Sequence, residues 1–400
     1  MWITALLDRV AVLVGRGAGG EPSRGPVDGA AWRRRLLSLP VVPWRAGLLP
    51  RGGRGPMRVV HTDAIVHEAF SRRSRFLQRG ARLVLKPLLH LAPVNDRTIL
   101  LLRRMDRLSA RRPRSRYVEP VEFELGGVRV ESMTHRYGPT SDMTILYLHG
   151  GGFLSCGIDS HRRLCERLAL RTGATVISVD YVQLPEGTVA DSVQDAISAY
   201  AALVRSTAHP EKIVVAGDSA GGYLTMKVAE LAARRRLPLP AALIGFSPLL
   251  SLDPDSVDKG VEQVVRFDDA YLPLAKIARL RPRWMPESAV MEGEVSPLDA
   301  TGWISSPTFL VATEDEILRP ETEAFALALT DRGVKVELHI WRKQVHAFPV
   351  LAGALPEGEL AVRLAADFAR AAVGELDHER TTDPHAHTEL VAGTAPDPAA

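Results

Sequence analysis

Residues Ile213 to Gly222 read IVVAGDSAGG. The apolar and small residues at its start suit a strand. Gly217-Asp218-Ser219-Ala220-Gly221 then matches G-x-S-x-G, and the helix-like run Tyr223 to Arg235 follows. Glycines on both sides of the serine permit a sharp strand-to-helix turn, where side chains would collide with the neighbouring strand and helix. Such a turn lifts the Ser219 hydroxyl above the sheet and aims the first free N–H groups of the helix at the same spot. The five-residue pattern also recurs by chance, and an ordinary β–α turn is the plain alternative. A nucleophilic Ser219 therefore needs a histidine base, an acid and oxyanion donors elsewhere in the chain.

Outward from this turn, short strands alternate with helices. TILYL (144–148) precedes a glycine loop and the helix HRRLCERLALR. TVISV (175–179) precedes VADSVQDAISAYAALVR, in which Val189, Val193, Ile197 and Ala201 keep four-residue spacing. ALIGF (242–246), TFLVA (308–312) with the helix TEAFALALTDRG, and VELHIW (336–341) with a last helix over about 357–373 continue the rhythm. Ahead of them, VEFELGGVRVESMTH has the pattern of a hairpin turning at Gly126-Gly127. The alternation predicts an α/β fold: a mostly parallel central sheet covered by helices on both faces. Residues 251–293 break the rhythm with Pro- and charge-rich text, as an insertion at the carboxyl edge of the sheet would.

The partners that Ser219 needs can be sought at the strand ends. Directly after TILYL stand His149-Gly150-Gly151-Gly152-Phe153. Three glycines leave the backbone bare, so the N–H groups of Gly151 and Gly152, with that of Ala220, can close on a substrate oxygen. A tight loop alone would also use glycines, but a second glycine signature at a strand end beside the first is hard to ascribe to accident. The base should follow the serine in the chain. His339 lies inside a strand-like run, and His378, His385 and His387 lie in the polar tail; His346 heads the loop after VELHIW and is the well-placed candidate. The acid should follow TFLVA, where Glu314-Asp315-Glu316 stand in a row. Successive residues near a strand end point in different directions, so at most one of the three should face His346.

Composition sets the outer bounds. The chain has 400 residues, 46% hydrophobic and 24% charged, which is an ordinary globular balance. Cys156 and Cys165 are its two cysteines; their spacing fits no familiar metal or redox motif, so buried thiols and no metal site are expected. The net charge of +3 hides an asymmetry: residues 1–118 hold 24 Lys+Arg against 7 Asp+Glu, and the rest holds 26 against 40. That imbalance favours an acidic partner, such as an anionic membrane or an acidic face of the protein itself. No apolar run reaches the ~18 residues of a membrane span, and the N-terminus makes a poor signal peptide, so a cytoplasmic, membrane-peripheral protein is expected. Gly15, Gly17 and Gly20 formally match a nucleotide loop, but EPSRGPVDG after them cannot form the helix that such a loop requires. The Gly/Pro/Arg-rich segment 1–56 and the tail 375–400 are expected to be disordered, with Met57 an alternative natural start. Residues 57–118 contain Arg-interleaved amphipathic pieces that suit a solvated face, a lid or a membrane-facing surface.

Taken together, HGGGF (149–153), GDSAGG (217–222) and VHAF (345–348) resemble the hormone-sensitive-lipase family of α/β-hydrolases. The likeness covers residues 120–374, with finer matches in DYVQLPE (180–186), SPLL (247–250) and SPL (296–298). DEILRPE followed by HIWRKQVHAF resembles the bacterial acetyl-hydrolase branch. The family's acid segment, D-x-L-R-D-E, aligns best when Glu316 takes the aspartate's place, because leucine, arginine and the last glutamate then fall in register. Asp315 is the alternative acid. The resemblance implies a core over 119–250 and 294–374, and a helical cap formed by 57–118 with the insertion 251–293. It implies a serine carboxylester hydrolase acting on small to medium acyl esters through an acyl-enzyme. The triad would be Ser219, His346 and Glu316, with Gly151, Gly152 and Ala220 as the oxyanion hole, His149 and Gly150 completing the motif, and no cofactor. A small-molecule ester is the expected partner; no nucleic acid is, and a homodimer stays open. Departures at Val182, Gln183 and Leu184 border the pocket and leave substrate preference unassigned. The rival expectations are a non-catalytic ligand receptor on the same fold, which would lack the histidine, and a peripheral membrane protein.

Overall fold

The computed structural model describes residues 64–107, 109, 114–252, 269–272 and 274–376. The expectations for 1–56, for Met57 and for the tail beyond 376 fall outside these residues, as do 253–268 of the insertion.

Nine strands form one sheet. In chain order they are β1 (Ile65–His67), β2 (Val118–Leu125), β3 (Val128–His135), β4 (Thr144–Leu148), β5 (Thr175–Val179), β6 (Ile213–Asp218), β7 (Ala242–Phe246), β8 (Thr308–Thr313) and β9 (Val336–Trp341). Their order across the sheet is β1-β9-β8-β7-β6-β4-β5-β3-β2. All neighbours from β1 to β5 run parallel, and β3 and β2 add an antiparallel edge. That edge is the hairpin expected at Gly126-Gly127, where both glycines take positive φ, 63° and 82°, as a two-residue hairpin turn requires.

The central strands are apolar throughout because both faces are covered. On β6, Val214 and Ala216 enter one core and Ile213 and Val215 the other, the alternation that a strand imposes. The helices are α1 (Arg72–Gly80), α2 (Lys86–Leu91), α3 (Asp96–Arg107), α4 (Ile158–Thr172), α5 (Val189–Ser206), α6 (Ala220–Arg234), α7 (Leu274–Trp284), α8 (Arg319–Thr330) and α9 (Pro356–Ala372), with a π-helical turn at Ala81–Leu85 joining α1 to α2. Leu164, Leu168, Ala361 and Ala365, from α4 and α9, help to fill one core; Val193, Leu224 and Phe325, from α5, α6 and α8, help to fill the other. A bidentate ion pair ties α4 to the sheet edge: Arg162 donates to the two carboxylate oxygens of Glu131 on β3 at 2.8 and 2.7 Å, both residues buried.

One boundary differs from the sequence expectation. Residues 65–67 fall in the stretch assigned to the cap, yet they extend the sheet as β1, in parallel register with His339–Trp341. His67 stacks on Trp341 at 3.7 Å between ring centroids, and its Nε2 lies 2.9 Å from His339 Nδ1. A three-residue strand is too short to show a period, so only its partner reveals it.

Candidate active site

The site assembles above the carboxyl ends of β4, β6, β8 and β9. At the end of β6 the chain turns directly into α6, and Ser219 at the corner adopts φ 52° and ψ −117°, a strained conformation for a residue with a side chain. The turn is held by Ser219 N–H donating to the Phe246 carbonyl at 3.0 Å, and by Leu249 N–H donating to the Ser219 carbonyl at 2.9 Å. The flanking glycines are there for space. A Cβ on Gly221 would fall well inside contact with the Leu148 carbonyl, and one on Gly222 would lie 2.6 Å from Pro248 Cβ.

His346 stands in the loop after β9. Its Nε2 lies 2.9 Å from Ser219 Oγ, and its Nδ1 lies 3.0 Å from Glu316 Oε2. The other carboxylate oxygen of Glu316 accepts the Thr313 N–H at 3.0 Å, which fixes the carboxylate. All three groups are close-packed, with His346 and Glu316 buried. Burial alone pulls the His346 pKa down. The hydrogen bond to Glu316, together with the negative charges of Glu316, Asp269 and Asp218, outweighs it and leaves the imidazole above its ordinary value.

The three consecutive carboxylates diverge. Glu314 accepts from Arg342 Nε at 3.2 Å, and Asp315 accepts from Gln78 of α1 and Arg82 of the π-helical turn at 3.3 Å each. Glu316 alone of the three reaches His346.

The glycine loop lies beside the serine. Gly151 and Gly152 take φ of 123° and 65°, and a Cβ on Gly151 would collide with the Ser155 carbonyl. The N–H groups of Gly151, Gly152 and Ala220 donate to no acceptor among the described residues, which leaves them free for a ligand oxygen. Gly150 N–H instead donates to Asp218 Oδ1 at 2.9 Å. His149 is fully buried behind the loop; its Nδ1–H donates to the Gly150 carbonyl at 2.8 Å, and burial, then the nearby His161, lowers its pKa to about 4. It shapes the loop and does not reach the serine.

Several further residues shape the site, and apart from Asp218, which lies inside GDSAGG, no quoted motif marks them. Asp218 accepts Tyr147 O–H at 2.7 Å and His161 Nε2–H at about 3.2 Å, besides Gly150. Burial pushes its carboxyl up, but these donors and the His161 charge win and hold it below the usual value. Asp269, from the insertion, accepts the N–H groups of Tyr271 and Leu272 at 2.9 and 2.8 Å and that of Ile317, next to Glu316, at 3.2 Å. Tyr271 O–H donates to the His346 carbonyl at 3.0 Å, and Trp284 Nε1–H donates to the Gly152 carbonyl at 2.9 Å. The insertion thus touches the acid loop, the base loop and the glycine loop.

Above Ser219 lies a cavity of about 430 Å³. Its floor is Gly151, Gly152, Ser219 and His346; its walls are largely aliphatic, including Leu88 and Leu89 of α2, Leu102 of α3 and Leu280 and Trp284 of α7. Apolar walls over a few polar groups suit a ligand with one reactive polar group and an apolar body. Among the described residues no cluster of side chains has the make-up of a metal site.

Known proteins resemble this chain in sequence and in fold. Residues 145–350 match a family described by its α/β-hydrolase fold. The chain is 34% identical over 240 residues to the Mycobacterium tuberculosis esterase LipU, covering 58% of this chain and 78% of the relative. It is 30% identical over 235 residues to an acetyl-hydrolase of Streptomyces hygroscopicus, covering 58% and 77%. A crystal structure of a hormone-sensitive lipase from a metagenome library superposes with a TM-score of 0.62 at 26% identity, covering 74% of this chain and 98% of that one. Sheet order, serine turn and these similarities together establish that the chain belongs to the α/β-hydrolase fold family, as a serine hydrolase of its hormone-sensitive-lipase branch.

Proposed function

We propose that the protein is a carboxylester hydrolase for small to medium acyl esters, with Ser219 as nucleophile, His346 as base and Glu316 as the acid that orients it. The observation that carries this is the unbroken line from Glu316 through His346 to Ser219, with links of 3.0 and 2.9 Å. His346 takes the Ser219 proton as Oγ attacks the ester carbonyl. The oxyanion that forms is held by the N–H groups of Gly151, Gly152 and Ala220, each such donor being worth about a hundred- to a thousand-fold in rate. His346 then returns the proton to the alcohol, which leaves. Water, deprotonated by His346, releases the acid from the acyl-enzyme. Every proton is accounted for by one imidazole, so the reaction calls for no cofactor.

A receptor role is disfavoured because the base is present and within hydrogen-bond reach of the serine. The cap, in this proposal, comprises the helices between β1 and β2 together with the insertion through α7. The protein would work in the cytoplasm, with its basic N-terminal part in contact with anionic membrane. No described helix is long and apolar enough to cross a membrane. The test is a series of aryl esters from acetyl to palmitoyl, with Ser219→Ala as the control. Turnover by the wild type that Ser219→Ala lacks is the expected result; inactivity of both across the series removes the proposal.

A further inference from the structure

The cap leaves apolar side chains in water. On α1 and the π-helical turn after it, Arg72, Phe76, Arg79 and Leu83 are all exposed at the spacing of one helical stripe. On α3, Arg97, Leu100, Leu101 and Arg104 repeat the pattern. Leu83 and Leu91 are 78% and 81% exposed. A single exposed leucine needs no explanation, but several on adjoining elements do.

Charge accompanies them. Between residues 64 and 107, ten arginines and lysines stand against Glu68, Asp96 and Asp106. Of those acids Asp106 is buried and Asp96 is paired with Arg283. Arg72, Arg79, Arg97 and Arg104 have no ion-pair partner among the described residues. Apolar exposure also reaches the cavity: Leu88 of α2 and Leu101 of α3 line it, are 42% and 57% exposed, and so stand on its rim.

We propose that this face of the cap docks on an anionic lipid surface with the cavity mouth turned toward it, so that an apolar ester passes from the lipid to Ser219 without crossing water. Phe76, Leu83 and Leu91 enter the boundary of the acyl region, while the arginines, on long apolar stems, reach the phosphates. The delivery of ester to Ser219 rests on the hydrolytic role proposed above; the docking does not. Peripheral helices that bind lipid in this way pair an apolar face with basic residues, each worth about fivefold in partition near an anionic surface.

The test co-sediments full-length Ser219→Ala protein with phosphatidylcholine vesicles made with and without phosphatidylglycerol. Binding to the anionic vesicles alone, weakening as salt rises, is expected. In the same background, Arg72→Gln, Arg79→Gln and Arg97→Gln together should lower binding about a hundredfold, and Leu83→Asn with Leu91→Asn at least about tenfold. Leu83 and Leu91 do not line the cavity. In active protein their replacement should therefore spare turnover of a water-soluble aryl ester and depress that of an ester carried in the vesicles. Equal binding to neutral and anionic vesicles overturns the proposal, as does binding that survives both sets of substitutions. So does a dimer that the leucine changes dissociate and that itself ignores vesicles, since a second copy would then own the face. Should vesicle binding follow expectation while no ester is turned over in either form, docking stands and the hydrolytic role falls.

Discussion

Glu314, Asp315 and Glu316 share a charge and a strand end, yet they leave β8 toward three different partners. Glu316→Gln should lower kcat about 10³- to 10⁴-fold while the thermal melt stays put, because the amide cannot stabilise the imidazolium. Asp315→Asn, at a partly exposed ion pair, should change kcat less than about threefold; a reversed ranking in steady-state assays would transfer the acid's role to Asp315. As the proposed base, His346 must be neutral to accept the Ser219 proton, so activity should rise with pH through its pKa, which its surroundings raise above the ordinary histidine value. Asp269 adds to that elevation from the insertion. Asp269→Asn should therefore move the acid limb of the kcat/KM profile to lower pH, since removing a nearby negative charge disfavours the imidazolium. An unmoved limb with reduced activity would show that Asp269 only braces the loop. Among these residues Ser219 and His346 stand out in the sequence through G-x-S-x-G and a lone well-placed loop histidine. The preference for Glu316 over Asp315 came from register with the family's acid segment, because nothing in three adjacent carboxylates says which way each will turn.

At the scale of elements, the turn between β6 and α6 works only because backbone passes backbone without side chains between. Gly221→Ala would place a methyl group against the Leu148 carbonyl, forcing α6 away from β4. The expected cost is roughly 3 kcal/mol, the upper range for overpacking, read as a lowered melting temperature together with lost activity. Gly302→Ala, whose added methyl would meet open space, should change stability by less than about 0.5 kcal/mol. Equal effects from the two would mean that the turn tolerates displacement. The strand–helix alternation was legible because burial on both faces leaves long apolar strands, and four-residue spacing marks helices such as α5. The edge strand β1 was not, since the three residues Ile65–His67 are too few to carry a period.

For the molecule as a whole, residues between β1 and β2 and residues of the insertion wall the cavity above the serine. Leu89 lines the cavity from α2, above the floor formed by the glycine loop. Leu89→Trp should fill that space and lower kcat/KM for an octanoyl ester about tenfold or more, while an acetyl ester changes less than about threefold. Uniform loss across the chain-length series would place Leu89 outside the acyl path. Trp284, Tyr271 and Asp269 connect the insertion to the glycine loop, the His346 loop and the loop of Glu316, so its contacts brace the site itself.

Local sequence was enough to show the alternation of strands and helices, the sharp turn at Ser219, the bare loop at Gly151 and Gly152, and the loop histidine at 346. These are local signals: a repeat period, glycines where no side chain fits, a polar residue placed just past a strand. Tertiary structure alone decided the pairing of Ile65–His67 with His339–Trp341, the turning of Glu316 toward His346, the contacts of Asp269 and Trp284, and the leucine rim of the cavity. Each of these joins residues far apart in the chain, and the direction of a side chain at a loop or strand end is set by what packs against it, which no neighbouring residue specifies.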